Sequence, residues 1–129
     1  MNEYYKNLKK PSWSPQEQVF GQVWSVLYII IISVNLYIIW LLASGSISWK
    51  IALPFWLNLF FNLIFTPIQF GLKNNLLASI DIILVLITLI WAIIAIWPEN
   101  RIISFLFVPY LLWVVIATVL QIQIYWLNR

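Results

Sequence analysis

Long apolar runs separated by a few short polar turns dominate this chain. No residue between Glu17 and Lys50, or between Lys50 and Lys73, carries a charge. From Gln18 to Asn128 the ionisable residues, phenolic tyrosines aside, are Lys50, Lys73, Asp81, Glu99 and Arg101. About 20 mostly apolar residues suffice to cross a bilayer as a helix, which satisfies its own backbone hydrogen bonds where water cannot. Four such segments fit, at about 18–43, 50–71, 76–97 and 102–127, with the polar turns SGSIS, GLKNN and Pro98-Glu99-Asn100 between them. Residues 1–17 read as an amphipathic tail interrupted by Pro11 and Pro15. No small-residue cleavage site follows a short apolar core, so no removable signal peptide is expected. Pro67 and Pro109 fall within the second and fourth segments. Each removes a backbone donor and is expected to kink its helix. The predicted fold is an all-α integral membrane protein, one domain over 1–129 built as a bundle of four transmembrane helices.

Composition points the same way and narrows the chemistry. Hydrophobic residues make up 64% of 129 and charged residues 9%, against roughly 25% charged in soluble domains. The lipid bilayer is therefore the first partner. Absence of cysteine and histidine removes thiolate ligands, disulfides, the commonest metal ligand and the commonest general base near neutral pH. No metal site and no catalytic residue are predicted, and no cofactor is required. The net charge of +3 calls for no nucleic-acid partner, because loop lysines and arginines set orientation in membrane proteins. With four spans, Lys6, Lys9, Lys10, Lys73 and Arg129 share one side, and Lys50 and Arg101 the other. That bias places both termini in the cytoplasm.

Polar residues inside spans are costly in lipid and usually face the bundle interior. In the second span Asn58, Asn62, Thr66 and Gln69 recur at offsets that, at about 100° per residue, fall within about 80° of one another. One polar stripe results. It serves either interhelical hydrogen bonding or the wall of a cavity for a mostly apolar ligand, and the spacing leaves both open. Asp81 is the one carboxylate inside a span. Near the start of the third helix the positive end of the helix dipole favours an ionised, structural carboxylate; a gating or ligand-contacting role is the alternative. Of the nine tryptophans, Trp40, Trp49 and Trp97 cluster at one predicted interface and Trp13, with Tyr125 and Trp126, at the other, as an aromatic belt would. Trp24, Trp56, Trp91 and Trp113 lie within spans, where packing against lipid or a neighbouring helix accounts for them.

Several separated stretches, YYKNLKKPSWSP, FGQVWSVLY, LPFWLN and PYLLWVVIATVL, occur in the order of the TspO/MBR family, which the chain resembles from Tyr4 to Asn128. These are the tryptophan-rich sensory proteins of bacteria and the mitochondrial translocator protein. The resemblance implies a helical bundle with a ligand cavity closed by a loop. By position, Lys10, Pro11, Ser12 and Trp13 match that loop and are expected to act as a lid. Trp24 and Trp113 match the family's cavity tryptophans, and Tyr28, Asn58, Asn62, Phe65, Gln69, Pro109 and Ala117 occupy matching positions around them. Asp81 matches an aspartate common in the family. Family members usually have five spans; this chain starts where their first loop would be, so four are expected here, with an N-terminal lid segment. Tyr4 replaces the tryptophan that opens the loop, and Gln16 the second proline of its Pro-Pro pair. Leu120, Tyr125 and Arg129 satisfy a loose sterol-contact pattern but lie out of register with the family's own, and specific cholesterol binding is not predicted.

On this resemblance the expected function is a membrane receptor or transporter-like protein. Its cavity would bind porphyrins, protoporphyrin IX or haem-type tetrapyrroles, or isoquinoline-type ligands, in a sensory or tetrapyrrole-regulating role. Two alternatives stand beside it: light- and oxygen-dependent porphyrin breakdown, and a non-binding structural module. A homodimer is expected because family members form them, and a bacterial membrane is expected in preference to the mitochondrial outer membrane.

Overall fold

The computed structural model describes residues 3–129; Met1 and Asn2, the first residues of the predicted tail, lie outside them. The described chain runs through α1 (Glu3–Lys6), α2 (Glu17–Ala43), α3 (Trp49–Thr66), a π-helical segment (Pro67–Gly71), α4 (Asn75–Ile96), α5 (Arg101–Leu106) and α6 (Val108–Asn128). Four helical stretches, Gln18–Ala43, Trp49–Gly71, Asn75–Ile96 and Arg101–Asn128, are long and apolar enough to cross a membrane. The protein is an all-α membrane bundle. Its outer faces carry exposed Ile29, Leu36, Ile94 and Leu112, which would carry a large hydrophobic penalty in water and none in lipid.

Local sequence explains where the helices stop. Gly45 takes a left-handed φ of +79°; its N–H bonds the Leu42 carbonyl at 3.1 Å and that of Ser46 the Leu41 carbonyl at 2.9 Å. This pair of bonds closes α2 as a Schellman motif, in which glycine meets no Cβ penalty. Asn74 accepts from the Leu77 N–H at 2.9 Å and Asn100 from the Ile103 N–H at 3.2 Å, capping α4 and α5 in the usual Asx manner. Lys73, at φ +53°, completes the tight reversal between the second and third spans.

The prolines act differently from simple kinks. Pro67 opens the π-helical segment, where the Leu72 N–H reaches the Pro67 carbonyl at 2.9 Å. The fourth span breaks at Phe107, and Pro109 sits in the first turn of α6, a position where its missing donor costs little. Pro54, inside α3 and buried, drew no expectation from the sequence.

The core has two parts. Ile31, Ile38, Phe55, Leu89, Ile96, Phe107 and Tyr110 are fully buried in a large cluster running through the bundle. A smaller cluster of Tyr5, Phe20, Leu120 and Ile124 closes the end that holds both termini. α3 packs most extensively on α4, and α4 on α6.

Candidate ligand cavity

Four helix ends and the N-terminal segment enclose a cavity of about 290 Å³. α2 contributes Phe20, Gly21, Trp24 and Tyr28; α3 and its π-helical end contribute Asn62, Phe65, Thr66, Gln69 and Phe70; α4 contributes Ile82 and Val85. Ala117, Leu120, Gln121 and Ile124 of α6 complete the wall, and Tyr5 closes it from α1. The wall is mostly apolar and rich in rings, with a few amides and hydroxyls.

Helix packing sets the aromatic side. Trp24 lies 5.7 Å from the Tyr28 ring and 6.5 Å, edge-on, from Trp113. Trp113 meets Phe20 at 5.4 Å, so it braces the wall from behind. Its Nε1 is buried without a hydrogen-bond partner. Tyr5, 5% exposed, meets Phe20 at 6.4 Å and Phe70 at 5.6 Å.

The polar stripe of the second span divides its duties. Asn58 donates through Nδ2 to the Val85 carbonyl at 2.9 Å and to Thr88 Oγ1 at 3.3 Å, and accepts from the Tyr110 hydroxyl at 2.9 Å. Asn62 Nδ2 donates to the Tyr110 oxygen at 2.7 Å, while the Tyr28 hydroxyl donates to Asn62 Oδ1 at 2.6 Å. One chain of bonds thus ties α2, α3, α4 and α6 together. Deeper polar groups hold the bundle, and those nearer its end face the cavity. Gln69 Nε2 donates to Gln121 Oε1 at 3.1 Å, and Gln121 Nε2 to the Asn75 carbonyl at 3.3 Å.

Of the residues expected around the ligand, Trp24, Tyr28, Asn62, Phe65, Gln69 and Ala117 line the cavity; Asn58, Pro109 and Trp113 stand outside its wall. Asp81 is 3% exposed, with Oδ2 buried and unpartnered. It too lies off the cavity wall. Among the described residues no three histidine, cysteine, aspartate or glutamate side chains come together, so the cavity offers stacking surfaces and hydrogen bonds.

The N-terminal segment is a strap across the cavity end. Asn128 clasps it from the last turn of α6: its Oδ1 accepts from the Lys9 N–H at 3.0 Å and its Nδ2 donates to the Lys9 carbonyl at 2.8 Å. Lys10 Nζ donates to the Tyr5 carbonyl at 2.7 Å and lies 4.7 Å above the Tyr5 ring. Trp13 Nε1 donates to Gln123 Oε1 at 3.1 Å, and Pro11 rests beside Ile122 and Trp126. Pro11 and Trp13 therefore fasten the strap to α6, Lys10 bonds within it, and Tyr5 makes the closing contact. Burial raises the hydroxyl pKa of neighbouring Tyr4 above the usual phenol value.

Tyr5, Phe20, Phe70 and Gln121 were not singled out by sequence reasoning. Gln121 carried a usable signal, since a glutamine inside the fourth span falls under the same logic as the stripe of the second. The three rings carried none; their place depends on where the strap lands.

The TspO/MBR family pattern matches residues 1–127. The chain belongs to the TspO/MBR family. It is 37% identical, over 98% of its length and 81% of the other's, to YtaB, an uncharacterized membrane protein of Bacillus subtilis. Its identity to the tryptophan-rich protein TspO of Archaeoglobus fulgidus is 34%, over 97% of this chain and 80% of that one. To the human translocator protein it is 31%, over 92% and 70%. Membership in the TspO/MBR family and four spanning helices make this an integral membrane protein.

Proposed function

We propose that this TspO/MBR protein is a receptor or transporter-like protein that holds a flat, mostly apolar aromatic ligand in its intrabundle cavity. A porphyrin such as protoporphyrin IX, a haem-type tetrapyrrole, or an isoquinoline-type compound fits that description, in a sensory or tetrapyrrole-regulating role. The observation that carries the reading is the wall itself: Tyr5, Phe20, Trp24, Tyr28, Phe65 and Phe70 surround about 290 Å³ with few polar groups among them. Rings of this kind stack on a planar ligand and a small number of polar groups orient it. The volume is at the low end for ligand sites, about 300–1,000 Å³. A full macrocycle therefore enters with outward movement of Tyr5 and its strap. Lys6, Lys9, Lys10, Lys73 and Arg129 gather at this end, and the positive-inside bias turns the cavity toward the cytoplasm. Two relatives, the tryptophan-rich sensory protein of Cereibacter sphaeroides and the human translocator protein, carry names that support the same reading.

A titration with protoporphyrin IX in nanodiscs, in the dark, tests it. Saturable quenching of tryptophan fluorescence in the micromolar range or tighter, weakened in Trp24→Phe, is expected. Quenching that does not saturate and is identical in both proteins is partition into lipid and refutes the reading. Repeating the titration under illumination separates binding from porphyrin breakdown, which yields a new absorbing product in light alone.

A further inference from the structure

We infer that the cavity opens sideways into the bilayer, through a mouth between α2 and α3 framed by Gly21 and Thr66, and that it is filled by neutral aromatic molecules dissolved in the membrane. This rests on the binding reading above and specifies the route to that same site.

Burial around the wall is lopsided. On the α4 and α6 side Ile82, Val85, Leu120, Gln121 and Ile124 are each at most 4% exposed, and Ala117 alone is half-buried. The end toward the termini is shut by Tyr5 and Phe20, both buried. Gly21 of α2 and Thr66 of α3 line the same cavity and are exposed. Trp24, Tyr28 and Phe65, on the same two helices, are half-buried. A wall whose exposed members come from two helices is open between them. Gly21 gives an independent sign: a Cβ built there would meet no atom within 4 Å, so nothing among the described residues covers that point of α2.

The mouth faces hydrocarbon. Gly21 and Thr66 both lie inside apolar spans, Gln18–Ala43 and Trp49–Gly71. Counted from Gln18 to Gly21 and on to Tyr28, at about 1.5 Å per residue, the opening lies about 5–15 Å inside the edge of the span. Ser25, exposed and one turn beyond Gly21, spends its hydroxyl on the Gly21 carbonyl at 2.8 Å. That lip therefore presents no unmet donor to the acyl chains.

A solute confined to water meets Tyr5 and Phe20, whereas one dissolved among acyl chains meets an opening. Movement of the strap supplies room for a large ligand; the mouth supplies the route.

The test has two arms. The chain has no cysteine, so Gly21→Cys and Thr66→Cys each take a single nitroxide label. EPR power saturation in nanodiscs then compares molecular oxygen, which dissolves in acyl chains, with a water-soluble nickel chelate. Oxygen is expected to relax both labels more strongly than the chelate does. The reverse order would put water in the mouth and overturn the inference, whether or not any ligand binds. In the second arm anthracene, a neutral three-ring compound, is mixed with the protein in nanodiscs. Energy transfer from tryptophan is followed by stopped flow, with the non-saturable signal of lipid partition subtracted. Gly21→Phe and Thr66→Phe narrow the mouth from its two lips. Each is expected to slow association and release together by about tenfold, as a hindered route does, and to leave Kd within about twofold. Unchanged rates in both variants would place entry elsewhere, and faster release with unchanged association would show that these positions only line the cavity. Either result overturns the inference while leaving binding intact. Absence of a saturable anthracene signal in the wild-type protein would overturn the reading of this cavity as a site for flat aromatic ligands, and this inference with it. Because the mouth is probed from both lips and by two methods, misfolding of one variant cannot mask the result.

Discussion

Replacing Tyr110 by phenylalanine deletes one oxygen from the fully buried interior of the bundle. That oxygen accepts from Asn62 at 2.7 Å and donates to Asn58 at 2.9 Å. Two hydrogen bonds linking α3 and α6 disappear and no apolar surface is lost. In membrane bundles such bonds average about 0.6 kcal/mol and reach about 1.7, because the separated helices find other partners in the membrane. The expected loss is therefore about 1–3 kcal/mol, well below the figure an unpaired amide in a water-soluble core would suggest. Titration with SDS in mixed micelles, followed by circular dichroism, gives the change in unfolding free energy. The cycle of Tyr110→Phe, Asn58→Leu and the double variant separates the bond from the packing. Tyr110→Phe removes the donor to Asn58 Oδ1, so in the double variant part of the cost is already spent, and a coupling of about 0.5–1.5 kcal/mol is expected. A loss under about 0.3 kcal/mol, or strict additivity in the cycle, would refute the view that this relay holds α3 to α6.

Three further substitutions probe the strap, the first turn and the buried acid. Asn128→Leu removes both bonds to the Lys9 backbone; at about 0.5–1.5 kcal/mol each, tryptic cleavage after Lys9 should quicken by about tenfold, and unchanged cleavage would deny the clasp. Gly45→Ala meets no atom within 4 Å of the new Cβ but must hold φ +79°, so it should cost about 1–2 kcal/mol through backbone strain alone, read as a lower thermal midpoint. Asp81→Asn removes a buried carboxylate whose Oδ2 has no partner, so thermal stability should hold or rise; a clear fall would show that the ionised form is held by the fold.

How much of this was legible in the sequence depended on what each residue needs to be understood. Charge-free stretches announce spanning helices because their meaning is local: a helix in lipid needs nothing from its neighbours to satisfy its backbone. The stripe of Asn58, Asn62, Thr66 and Gln69 was legible as a stripe, since helical geometry alone puts those residues on one face. Its division into bundle-holding and cavity-facing groups was not, because that turns on Tyr110, Gln121 and the Val85 carbonyl, which belong to other helices. Pro67 and Pro109 were visible as kinks, yet a π-helical segment at one and a helix end at Leu106, three residues before the other, are tertiary outcomes. The family resemblance pointed to Trp24 and Trp113 alike, yet only Trp24 stands in the wall and Trp113 sits behind it. The closing role of Tyr5 depends on Asn128 gripping Lys9, a contact across 119 residues that no local pattern records.

The proposed aromatic ligand would occupy the space between Trp24, Phe65 and Ala117. Ala117→Phe fills that space from α6 with little change elsewhere, and the decisive measurement is protoporphyrin IX binding to this variant, made alongside its thermal midpoint in the same nanodiscs. The account predicts saturable binding to the wild-type protein that is lost in Ala117→Phe while the midpoint is unchanged or higher. Undiminished binding to a stably folded Ala117→Phe protein would place the ligand somewhere else and contradict the account.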